Sequence, residues 1–79
     1  MVGMNDDTDE LMRLVKLRSL LRNGVARTVR EGAAVSMNEM SRAVGVDRVT
    51  LLRWEHGKHS PRGELALKYL DVLEGLMKR

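Results

Sequence analysis

An all-α domain is what these 79 residues encode. Apolar side chains recur at helical spacing through most of the chain. The alternation of β-branched and aromatic residues that marks strands is absent. Helix-starting and helix-stopping residues punctuate the chain, which holds only one proline.

Length and composition narrow the reading. So short a chain forms one domain with a modest core, and it often needs a partner to be stable. The domain is read as residues 1–79, with 1–6 expected to be disordered and 7–24 an N-terminal helical extension. No cysteine is present, so disulfides and thiolate metal sites are excluded. No apolar run approaches membrane-spanning length and no signal-peptide core is seen, so a cytoplasmic, membrane-free protein is expected. Fourteen Lys and Arg against eleven Asp and Glu give a net charge of +3. Asp6, Asp7, Asp9 and Glu10 make an acidic start, and Leu11 to Arg30 then carries six basic residues and no acid. That distribution permits an anionic partner, although a solvated helix face explains it equally well on charge alone.

The first helix is expected to be capped by Asp7 or Thr8, with Glu10 completing a capping box from Asp7. Leu11, Leu14, Val15, Leu21 and Val25 share one face. Leu17, Leu20 and Gly24 form a second stripe beside it, so the apolar surface is wider than one packing face needs. Asn23-Gly24 either ends this helix or kinks it, and the reading taken is one long helix to about Glu31. Ser36-Met37-Asn38-Glu39 is a full capping box for a helix that stops at Gly45. Asp47 caps the next helix, with Val46 and Leu51 spaced as a hydrophobic staple, and Gly57 stops it. Ser60-Pro61 reads as cap and first residue of a last helix running to about Met77. Its apolar stripe is Leu65, Tyr69, Val72 and Leu76, with Leu70 and Leu73 alongside.

The two short helices around Gly45 form a helix-turn-helix pattern. Ser41 is small enough for a close crossing. Gly45 can take a positive φ in the turn. In the second helix Leu51 and Trp54 face inward, and Arg48 and Arg53 point out as donors.

The run VSMNEMSRAVGVDRVTLLRWEHGKHSP resembles the Cro/repressor (Xre-type) class of helix-turn-helix DNA-binding domains. The resemblance covers about Arg22 to Leu73. It is strongest at Gly45-Val46-Asp47, Leu51, Arg53-Trp54-Glu55, Gly57-Lys58 and Pro61. It implies a lambda-repressor-like bundle of four or five helices, with the helix after Asp47 in the DNA major groove. Position by position, it implies base contacts from Arg48, Val49 and Arg53. Arginine can bond guanine bidentately, whereas Val49 can touch only a thymine methyl. Ser36, Met37, Thr50, Lys58, His59 and Arg62 fall near the phosphates, as do the backbone N–H groups after Ser36 and Ser60. Asp47 also lies there, but as an acid it is read as a cap. The resemblance further implies a partly buried ion pair between Arg30 and Glu55. Two positions depart from the family. Met37 replaces a common glutamine and its side chain cannot donate to a phosphate. Leu52 stands where a polar residue is common, and a thymine methyl, the core or another subunit could each meet it.

Blander readings apply elsewhere. Trp54 is core rather than a base-stacking residue. His56 and His59 lack a third ligand, so neither zinc nor any cofactor is expected. Methionines fill an irregular core. Arg42 and Lys68 are solvated. Arg13, Lys16, Arg18 and Arg27 are also set aside, because they reach DNA only if the long first helix lies along it. No catalytic constellation is present, so an enzyme is not expected.

The leading function is a sequence-specific transcriptional regulator of phage-repressor, Cro-like or controller type in a prokaryotic or phage-infected cell. It would bind double-stranded DNA as a homodimer on a near-palindromic operator, with residues 11–24 or the tail Leu73–Met77 supplying the subunit contact. Two alternatives stand beside it. One is an antitoxin that binds DNA and a toxin, suggested by the segment RWEHGKHSPRGELALKYLDVLE. The other is a helical adaptor that binds protein alone.

Overall fold

A computed structural model describes residues 6–78, with side chains from Asp7 onward. The disorder expected over residues 1–6 falls on residues 1–5, which lie outside the described residues, and on Asp6, where α1 already begins. Five helices follow in order: α1 (Asp6–Arg22), α2 (Val25–Gly32), α3 (Met37–Val44), α4 (Arg48–Glu55) and α5 (Gly63–Met77).

α5 is the central post. It contacts α1, α2 and α3, and its Tyr69 ring stacks on Trp54 of α4 with centroids 5.5 Å apart. Its buried face is Ala66, Tyr69, Leu70 and Leu73, the i, i+3, i+4, i+7 spacing of a helix seated on a core. This corrects the expected stripe. Leu65 is exposed and Val72 and Leu76 are only half-buried, because the seated face lies one position further round. The other core residues come from every remaining helix: Leu14, Leu17 and Leu21 of α1, Ala26 of α2, Met40 and Val44 of α3, and Leu51 and Trp54 of α4.

The first forty residues differ from expectation in two places. Asp7 and Thr8 are inside α1, which already begins at Asp6, so neither is its cap. The long first helix is broken at Asn23-Gly24. Gly24 has φ 76°, a left-handed conformation that ends one helix and turns the chain into the next. The break lets α1 fold back along α5. Lys16 reaches Glu74 at 2.6 Å, and Arg13 pairs with Asp71. Both pairs are substantially exposed and contribute little by themselves. The expected surplus of apolar surface is mostly consumed by this packing, as is Leu73 in the tail. Leu11, Met12 and Val15 remain exposed on α1, and Met77 on α5.

α5 starts two residues later than the Ser60-Pro61 signal suggests. Arg62 is its N-cap in extended geometry and makes no side-chain capping bond. Pro61 is instead buried, so the chain from Ser60 to Arg62 is anchored to the core rather than opening the helix.

Candidate nucleic-acid interface

α3 and α4 are bounded by local chemistry at each end. Ser36 caps α3 by accepting from the Glu39 N–H at 3.0 Å, and the Ser36 N–H donates to Glu39 at 2.8 Å. That N–H, with the Ser36 hydroxyl, holds the Glu39 carboxyl below its ordinary value. At the far end Gly45 has φ 91°. Its N–H and that of Val46 both donate to the Ser41 carbonyl, at 2.8 and 3.1 Å. Ser41 is buried, and its hydroxyl donates to the Asn38 carbonyl at 2.9 Å. Asp47 then caps α4 by accepting from the Thr50 N–H and hydroxyl, and the hydroxyl bond is the main reason its carboxyl titrates lower than usual.

This framework gives α4 two distinct faces. Leu51, Trp54 and Glu55 are buried. Arg48, Val49, Leu52 and Arg53 are exposed, with Val49 at 51% and Leu52 at 37%. Leu52 therefore stands outside the core. Among the described residues neither Arg48 nor Arg53 has an ion-pair partner.

One guanidinium ties this helix to the rest of the bundle. Arg30 Nε donates to Glu55 at 2.6 Å, and a second Arg30 nitrogen donates to the other carboxylate oxygen at 3.2 Å. Its third nitrogen donates to the Val35 carbonyl at 3.0 Å. The side chains are 11% and 1% exposed. Bidentate geometry of this kind fixes orientation as well as charge, so α2, the turn before α3 and the end of α4 are locked together. The Glu55 bond also holds the Arg30 proton more firmly than usual.

The remaining candidates fall as follows. Lys58, His59 and Arg62 are exposed after α4. Thr50 is half-buried, and its hydroxyl proton goes to Asp47. Met37 is half-buried against the core, so what it offers outward is the N–H at the start of α3. The N–H groups after Ser60 do not open a helix, because α5 begins only at Gly63. An open hollow of about 210 Å³ lies beside Thr50, Arg53 and His59.

A second hollow, about 590 Å³, is lined by Arg18 and Arg27, which the sequence reading set aside, and by Arg22. His56 and His59 line it as well. No sequence signal marks this convergence, because it arises from the break at Gly24. Among the described residues no cluster of His, Cys, Asp or Glu could hold a metal, and no helix is long and apolar enough to cross a membrane.

A family model described as helix-turn-helix matches residues 27–75, from within α2 to near the end of α5, and leaves α1 outside. No match is found among curated proteins or among solved structures.

Proposed function

Because the chain belongs to the Cro/repressor (Xre-type) helix-turn-helix family of DNA-binding regulators, we propose that it reads a specific operator through α4 in the major groove. The observation that carries this reading is the outward face of α4. Arg48, Val49 and Arg53 are exposed on a helix whose other face is buried and whose end is held by the Arg30–Glu55 pair. Arg48 and Arg53 supply bidentate donors for guanine, each worth roughly 1–3 kcal/mol of discrimination, and Val49 meets a thymine methyl. Phosphates on either side are met by the N–H groups at the start of α3 and by Lys58, His59 and Arg62.

Four exposed residues on one short helix read few base pairs. A homodimer on a near-palindromic site, with recognition helices roughly 34 Å apart, would supply the rest. Leu11, Met12 and Val15 are the exposed apolar groups that suit a subunit contact.

The test is selection from a random duplex pool followed by fluorescence anisotropy over a salt series. The wild type is expected to enrich a near-palindromic site, and Arg48→Ala/Arg53→Ala to bind that site no better than random DNA. A double variant that still discriminates as the wild type does would remove α4 readout. A wild type that binds no duplex at low salt would favour a protein partner instead.

A further inference from the structure

We propose that the hollow between the α1–α2 junction and the loop after α4 is a second DNA-backbone site, where Arg18 and Arg22 take phosphates flanking the stretch read by α4. The inference rests on the DNA-binding reading above. It extends that reading to residues outside the matched family segment.

Three features of the hollow point to a polyanion. The first is shape. The left-handed turn at Gly24 places Arg18 and Arg22, near the end of α1, beside Arg27, at the start of α2. The hollow they line adjoins the one beside Arg53, and Trp54, His59 and Ser60 wall both. Positive groups therefore run from α4 across the loop to the end of α1. A single small anion needs one convergence of donors, whereas a run through two adjoining hollows suits a line of phosphates.

The second feature is charge. Among the described residues Arg18 and Arg22 have no ion-pair partner, and Arg27 pairs only with the exposed Glu31 on its own helix. The one carboxylate lining the hollow, Glu55, is already held by Arg30. Nothing in the wall neutralises the arginines.

The third feature is an unmet donor. Arg18 Nε is buried without a hydrogen-bond acceptor. Arg18 lines the hollow and, among the described residues, its guanidinium is committed to no protein acceptor, whereas a phosphate oxygen is a strong acceptor for such a group.

The experiment uses the full chain and its selected operator, placed in a short duplex and in one with long flanks. Wild type, Arg22→Gln, Arg18→Gln/Arg22→Gln and Arg48→Ala/Arg53→Ala are titrated over a salt series. Each lost phosphate contact should flatten the plot of log affinity against log salt by about 0.9. Arg18→Gln/Arg22→Gln should therefore flatten it by about 2 and bind the long duplex roughly tenfold more weakly at moderate salt. Its ranking of operator over random sequence should be unchanged, and the short duplex should show little difference. Arg22 is exposed, so Arg22→Gln, showing half the effect with an unaltered melting temperature, separates contact loss from misfolding. If wild type binds its operator and neither variant differs on the long duplex, this proposal alone fails. A wild type that binds no duplex ends both readings. If the variants lose only the thermal stabilisation given by pyrophosphate, with DNA binding intact, the hollow holds a small anion and the proposal is overturned.

Discussion

The helix pairs α3–α4 and α1–α2 each turn through a left-handed glycine, and they are held in different ways. In α3–α4 every boundary has its own chemistry: a capping box at Ser36, paired N–H groups on the Ser41 carbonyl, and the Asp47 cap. In α1–α2 the junction at Gly24 has no side-chain cap, and α1 is positioned by its seating along α5. The first pair is specified locally, so its crossing angle survives small changes elsewhere. The second takes its angle from the tertiary contacts it makes. α4, the helix proposed to enter a groove, belongs to the first kind.

The sharpest test of that contrast is Glu55→Ala. It should leave Arg30 uncompensated beside the Val35 turn and cost about 3–5 kcal/mol, read by chemical denaturation. A loss below about 1 kcal/mol would mean that α4 is held by its apolar face alone. Next is Leu17→Ala in α1, at a side chain with no exposed area. It should cost about 2–5 kcal/mol, and a far smaller loss would make α1 a detachable arm. Gly24→Ala and Gly45→Ala follow. Each forces a side chain into left-handed backbone and should cost about 1–2 kcal/mol. Only Gly45→Ala should also blur operator discrimination in anisotropy titrations, since only it alters the crossing of α3 and α4. Equal loss of discrimination in both variants would erase the distinction drawn between the pairs.

The smallest effect is acid sensitivity. Glu39, Asp47 and Glu74 are held below ordinary values of 3.8 to 4.5, mainly by hydrogen bonds from Ser36, Thr50 and Lys16 respectively. The unfolded chain takes up these protons more readily, so their contribution is full above about pH 5 and fades as pH falls through the folded values. Melting temperature should decline from pH 5 to pH 3, and less steeply in Glu39→Gln. A flat profile would dismiss the caps as pH-sensitive elements.

The same contrast explains which parts were readable in advance. Ser36, Glu39, Gly45, Asp47 and Gly57 act on their immediate neighbours, so the bounds of α3 and α4 follow from residue type and spacing. Leu51 and Trp54 are inward for the same reason. The Arg30–Glu55 contact joins residues 25 apart in the chain, and only a resemblance suggested it. Asn23-Gly24 is compatible with a kink or a stop, and packing on α5 decides for a stop. α5 is apolar enough to offer several stripes, and Leu65 lost to Ala66 and Leu70 because the core, not the periodicity, selects the seated face. Arg18 and Arg22 were out of reach for a related reason. Their convergence on the loop after α4 depends on where α1 lies.

The position of α5 bears on when the protein becomes active during its own synthesis. α3 and α4 are translated before Ala66, Tyr69, Leu70 and Leu73. Until then Leu17, Met40 and Leu51 have no post to pack on, and α1 has nothing to lie along. The exposed face of α4 is therefore translated early and fixed in place only once α5 has joined the core. A stop codon anywhere before α5 would yield an apolar fragment for proteolysis rather than a weaker regulator.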